Sequence, residues 1–128
     1  MKILCLQLAR FGDIYMSWPI FRAIKREHPH AVLHGLFRER FSEAATSSGT
    51  IDQVIRLPSE QVFRNLIIDN SISMALNSLD QFIQKMRHEN YDLVINLSYS
   101  PLSSYLVTAI QTENTKIFGY QRHSDVII

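Results

Sequence analysis

The sequence has a single cysteine, four glycines, four prolines and no long apolar run in its 128 residues. Each scarcity removes a class of protein. Cys5 alone supports no internal disulfide and no Cys pair for structural zinc; within Ile3-Leu4-Cys5-Leu6 it reads as a small hydrophobe in a reducing compartment. Few glycines and prolines, with 46% hydrophobic and 20% charged residues, exclude collagen-like, low-complexity and disordered chains. The longest apolar stretches, such as Ile3 to Leu6 and Leu93 to Ile95, fall far short of the roughly 20 residues of a transmembrane helix. The apolar start meets Gln7, Arg10 and Asp13 before a signal peptide could complete. One cytoplasmic domain with a real core is expected over residues 1–128, and the apolar ending Val126-Ile127-Ile128 reads as a core that continues past it.

A net charge of +1 excludes a strongly basic nucleic-acid binder, yet the charge is uneven. Residues 1–40 carry seven Lys and Arg against three Asp and Glu, and the rest carries six against nine. The basic third reads either as the solvated face of a helix or as a surface for phosphate groups or an anionic membrane.

Ile3 to Leu8 is apolar on both parities, as in a strand buried on both faces of a parallel sheet. Ile14, Trp18, Phe21 and Ile24 then recur at helical spacing, predicting an amphipathic helix from Asp13 or Ser17 to about His28, with Pro19 in or just inside its first turn. His30 to Phe37 reads as a second strand, Glu39 to Ser48 as a short helix closed by Gly49, and Val54 to Leu57 as a third strand. Residues 59–70 show no clean period and read as a loop with room for a helical turn. A helix follows from Ser71 to Glu89, then a strand from Tyr91 to Leu97, a helix from Leu102 to Gln111, and a last strand from Lys116 to Gly119.

Strands alternating with helices predict an α/β fold, a Rossmann-like doubly wound parallel sheet whose ligands bind at the carboxyl ends of the strands. The loops Ala9 to Asp13 and Ser98 to Ser104 are therefore the places to search. The first has one glycine where a dinucleotide fingerprint needs three, and it lacks the Lys-Ser/Thr of a P-loop. A receiver-type phosphoacceptor needs an acidic cluster where this chain offers Asp13 alone and Asn96. His28, His30 and His34 do not have metal-ligand spacing, and no metal is expected.

Asp13 remains, after Gly12, at the start of a helix on the ligand edge. One reading makes it a helix cap, with Gly12 in a conformation that other residues resist. The other makes it a general base taking a proton from an acceptor hydroxyl, with Gly12 leaving room for substrate.

The stretch Ile3-Leu4-Cys5-Leu6-Gln7-Leu8-Ala9-Arg10-Phe11-Gly12-Asp13-Ile14, followed by Pro19 and His28-Pro29, resembles the N-terminal signature of glycosyltransferase family 9, the lipopolysaccharide heptosyltransferase family. Arg40-Phe41, Ile51-Asp52-Gln53-Val54-Ile55, Tyr91-Asp92-Leu93-Val94-Ile95-Asn96-Leu97 and Lys116-Ile117-Phe118-Gly119-Tyr120 resemble its later landmarks in order. The resemblance implies the acceptor half of a GT-B enzyme, with the donor-binding domain absent from this chain and the chain alone inactive. It implies inverting transfer of heptose from ADP-heptose to a lipopolysaccharide-core or related glycan, without metal or other cofactor, at the inner face of the inner membrane. It assigns Asp13 as general base.

Gly12, Arg10, Asn96, Ser98 and Ser100 are the substrate-binding candidates, and Arg10, Arg38, Arg40 and Arg64 are candidates to meet phosphate groups. Gln7 and Asn96 depart from the charged residues that many members carry there. The hydroxyl-rich Ser98-Tyr99-Ser100-Pro101-Leu102-Ser103-Ser104 reads equally as an acceptor cleft or as an ordinary strand-to-helix turn with Pro101 in the first helical turn. The competing class is a non-catalytic, flavodoxin-like α/β binding domain.

Overall fold

The first strand, β1 (Lys2–Gln7), sends Ile3 and Cys5 into one apolar layer and Leu4 and Leu6 into another. That double burial makes it the centre of the sheet. The computed structural model describes residues 1–120, so the apolar ending Val126-Ile127-Ile128 lies outside the described residues. After β1 come α1 (Phe11–Glu27), β2 (Val32–Arg38), a 3-10 turn (Glu39–Phe41), α2 (Ser42–Thr46), β3 (Gln53–Leu57), α3 (Ser59–Ile67), α4 (Ile72–His88), β4 (Leu93–Asn96), α5 (Pro101–Ile110) and β5 (Lys116–Gly119).

The five strands form one parallel sheet in the order β3-β2-β1-β4-β5. Cys5 of β1 lies opposite Gly35 of β2 on one side and Ile95 of β4 on the other. Ile14, Phe21 and Ile24 of α1 and Ala44 and Ala45 of α2 cover one face. Met86 of α4 and Leu106, Val107 and Ile110 of α5 cover the other. The Rossmann-like arrangement expected from the alternation of elements is present.

Three details differ from expectation. Helix α1 begins at Phe11, so Pro19 lies in its interior rather than its first turn. Proline there removes one backbone donor, and its exposed position on the outer side of the helix is where a local bend is tolerated. Gly12 sits within the first turn with open space where a Cβ would be, so it is not there for a special backbone conformation. Residues 59–67 form a full helix of nine residues, more than the helical turn in a loop that was expected. Val62, Phe63, Leu66 and Ile67 do follow helical spacing, but the buried residue of α3 is Asn65, so its pattern is the inverse of a core-facing helix.

The amino ends of the strands are tied by charge. Asp92 accepts the Lys2 backbone N–H at 2.8 Å, and the Lys2 ammonium pairs with Glu89 at 2.8 Å. Asp52 accepts the Leu33 N–H at 2.7 Å and also pairs with Lys25, and these contacts hold its carboxyl below the usual carboxylate range. Buried among these elements, His34 Nδ1 lies 2.7 Å from the Tyr91 hydroxyl. Burial pushes the His34 imidazole below its ordinary value and the Tyr91 phenol above its own. Burial likewise pushes the Cys5 thiol up to about 12, consistent with an inert packed side chain.

Two stability experiments follow. Because the folded state binds a proton at His34 less readily than the unfolded chain, stability is highest above about pH 6.5 and falls as pH drops below it. Urea midpoints compared at about pH 7.5 and about pH 5.5 should show that fall, and His34→Gln should flatten it. At Gly119 the backbone is left-handed, φ +92°, and an added Cβ would lie 2.2 Å from the Asn96 carbonyl oxygen. Gly119→Ala should cost about 2 kcal/mol or more in urea unfolding.

Candidate functional site

The strand order reverses between β1 and β4, so the loops that leave these two strands meet at the carboxyl edge of the sheet. Beneath them lies a buried cluster of neutral polar groups. The Gln7 amide donates to Ser17 Oγ at 3.2 Å and to the Leu97 carbonyl at 3.4 Å. Its oxygen accepts from the Ala9 N–H at 3.3 Å and from the Ser98 hydroxyl at 3.1 Å. Ser98 Oγ also accepts the Leu8 N–H at 2.7 Å. Asn96 donates to Ser103 Oγ at 3.1 Å and to the Tyr120 carbonyl at 2.7 Å, while its oxygen accepts the Ser98 N–H at 3.0 Å. Among the described residues no buried side-chain polar atom lacks a partner.

This cluster carries the first turn of α1. Ser17, held by Gln7, donates its hydroxyl to the Asp13 carbonyl at 2.8 Å. Asp13 lies inside that turn, with Arg10 at the N-cap, and Arg10 makes no side-chain cap. The helix-cap reading of Asp13 is therefore corrected: its carboxylate is exposed and has no hydrogen-bond or ion-pair partner among the described residues. What remains of that reading is the favourable field at the positive end of α1.

The loop after β4 is the strand-to-helix turn that its sequence allowed. Ser100 is the N-cap of α5 and exchanges hydrogen bonds with Ser103, and Pro101 opens the helix. Ser98, Ser103 and Ser104 are buried, as is Asn96, and their polar atoms serve the scaffold. Tyr99, in contrast, is 88% exposed, with its ring 5.7 Å from that of Tyr120 at the end of β5. The sequence reading passed over this pair. Its signal was an aromatic residue set between two serines at a strand end, where nothing in the core calls for a large ring.

The four candidate arginines come together. Arg10 after β1, Arg38 at the end of β2, Arg40 in the turn that follows it, and Arg64 on α3 line one open cleft of about 1170 Å³, shared with Glu39 and Glu60. None of the four is ion-paired among the described residues, and Arg40 lies 5.8 Å from the centre of the Phe41 ring. Phe41 in turn meets Phe11 edge-on at 4.8 Å. Asp13 lies two residues beyond Phe11, roughly 200° further round the helix, and does not line this cleft. The edge thus has two sectors, a lone carboxylate beside the switch point and a cationic cleft over β1 to β3, with Arg10 adjoining both.

No family model and no curated protein sequence matches the chain. Solved structures do. E. coli heptosyltransferase WaaC with ADP-2-deoxy-2-fluoro heptose matches with a TM-score of 0.71 at 17% identity, over 94% of this chain and 35% of that one. A glycosyl transferase family 9 structure from Veillonella parvula matches at 0.68 and 22% identity, over 91% and 32%. E. coli ADP-heptose lps heptosyltransferase II matches at 0.66 and 15%, over 91% and 30%. The fold is shared with these glycosyltransferases, and the chain spans about a third of their length.

Removing the Ser98 hydroxyl would strand the buried Leu8 N–H and one bond to Gln7. Ser98→Ala should therefore lower unfolding free energy by about 1–3 kcal/mol, measured by urea titration, whereas Tyr99→Ala should leave it nearly unchanged.

Proposed function

We propose that the chain is the acceptor-binding part of an inverting glycosyltransferase of the GT-B kind, moving heptose from ADP-heptose onto a lipopolysaccharide-core or related glycan. The observation that carries this reading is the Asp13 carboxylate, exposed and unpartnered among the described residues, at the ligand edge of a sheet shaped like those of solved heptosyltransferases. The family signature around Gly12 and Asp13 supports the same role.

In the proposed reaction Asp13 accepts the proton of the acceptor hydroxyl as that oxygen attacks the anomeric carbon. The bond from that carbon to the donor diphosphate breaks on the opposite face, and nucleoside diphosphate leaves. A single displacement of this kind needs one base and no covalent carboxylate intermediate. The buried Gln7 and Ser17 pair fixes the turn that carries the base. Arg10 and the rest of the cationic cleft receive acceptor phosphates, and Tyr99 offers a ring face to a sugar. Asn96 and Ser98 act from beneath by setting the loop, and Ser100 by starting α5.

Donor binding and stabilisation of the leaving diphosphate belong to a further domain, so the chain alone is proposed to be inactive, and the whole enzyme to work at the cytoplasmic face of the inner membrane. No metal or other cofactor is part of this reading, which rests on the resemblance. The competing reading is a non-catalytic flavodoxin-like α/β binding domain.

Transfer from ADP-heptose to a core-oligosaccharide acceptor by the native protein separates the two. Asp13→Asn should reduce turnover by about 10²–10⁴-fold with an unchanged thermal midpoint. Retained turnover overturns the base assignment. Glycan binding with no consumption of donor by the wild type selects the second reading.

A further inference from the structure

The edge over β4 and β5 differs in kind from the arginine cleft. Residues 93–112 and 117–120, which build it, include no charged side chain. The hydroxyls of Ser98, Ser100 and Ser103 are taken up by the scaffold beneath. Tyr99 is left over, 88% exposed, with no hydrogen-bond partner for its hydroxyl among the described residues.

This exposed ring stands on a fixed backbone. Ser98 before it is held through its N–H by Asn96 and through its hydroxyl by Gln7 and Leu8, and Ser100 after it closes the capping box of α5. The neighbouring ring is fixed from the other side. Asn96 Nδ2 donates to the Tyr120 carbonyl at 2.7 Å, and the left-handed Gly119 brings the chain against the Asn96 carbonyl. One buried amide thus sets both tyrosines, whose ring centres lie 5.7 Å apart with planes inclined at 49°. Single exposed aromatics need no explanation, but two rings held by one side chain at the ligand edge of a parallel sheet form a prepared surface.

The surroundings select the ligand. A nucleotide or a phosphorylated sugar calls for a cation, and the stretches that build this sector hold none. A neutral pyranose calls for what is there. Its polarised C–H groups are drawn to the electron-rich face of a ring as apolar area leaves water, while its hydroxyls stay solvated.

We infer that Tyr99, backed by Tyr120, is a stacking subsite for an uncharged pyranose, so that an acceptor lies across the edge with phosphates over β1 to β3 and a neutral sugar over β4 and β5. The inference deepens the transferase reading, on which it rests for the acceptor as ligand, and it uses residues other than Asp13. Asn96 is a positioning residue for the pair.

The test is saturation-transfer NMR on the native protein, with a delipidated and dephosphorylated core oligosaccharide as the probe. Irradiating tyrosine ring protons should carry saturation to pyranose C–H protons, and rising salt should not weaken the effect. Tyr99→Ala should weaken probe binding about tenfold with an unchanged thermal midpoint, and Tyr99→Phe, which keeps the ring, should retain it. Absence of binding by the wild type, or binding that Tyr99→Ala leaves unchanged, overturns the inference. So does saturation that passes to adenosine in place of the oligosaccharide and is lost in Tyr99→Ala, which assigns the ring to a nucleobase. The readout involves neither donor nor turnover, so a failed base assignment at Asp13 leaves this result standing, and a failed subsite leaves that assignment standing.

Discussion

The hydrogen-bonded cluster around Gln7 and Asn96 is the constraint on which the ligand edge depends. At the reversal of strand order, two loops leave adjacent strands over a place too buried for free water to satisfy their backbone groups. Gln7 meets the need with both halves of its amide, donating toward α1 and the β4 loop while accepting from Ala9 and Ser98. An arginine, with donors only, could not accept those two bonds. Gln7 therefore belongs to a self-contained neutral scaffold, and Asn96 plays the matching part against the chain after β5.

With the cluster satisfied internally, functional groups are left on the rim. Asp13 stands exposed on a turn whose backbone the cluster holds, a rigid mount for a side chain without other ties. The arginines gather on the far side of α1, brought together because the loops after β1 and β2 and the helix after β3 open on the same edge. The inverted helix α3 extends the cationic sector with an apolar border.

Much of the fold was legible because long-period patterns survive local detail. The double apolar parity of Ile3 to Leu8 marked a strand buried on both faces, Ser71 marked the start of α4 by its N-cap, and Pro101 falls in the first turn of α5. The misreadings have one physical cause. Helix boundaries and the loop reading of 59–70 were judged by which apolar residues a core would take, and α1 extends back to Phe11 to meet Phe41 while α3 turns its apolar residues outward. A pattern tells that a face exists, not that the domain itself covers it.

By itself the sequence determined the order of the strands and of every helix but α3, and which loops, with Asp13 in one of them, leave the carboxyl ends of β1 and β4, since periodicity and local capping act between near neighbours. Only the tertiary structure decided that Asp13 is uncapped, that Asn96 and Ser98 lie beneath the surface, and that Arg10, Arg38, Arg40 and Arg64 share one cleft. Residues 54 positions apart in the chain, Arg10 and Arg64, meet because parallel strands bring all their carboxyl ends to one edge, and no local pattern records which distant side chains that edge will gather.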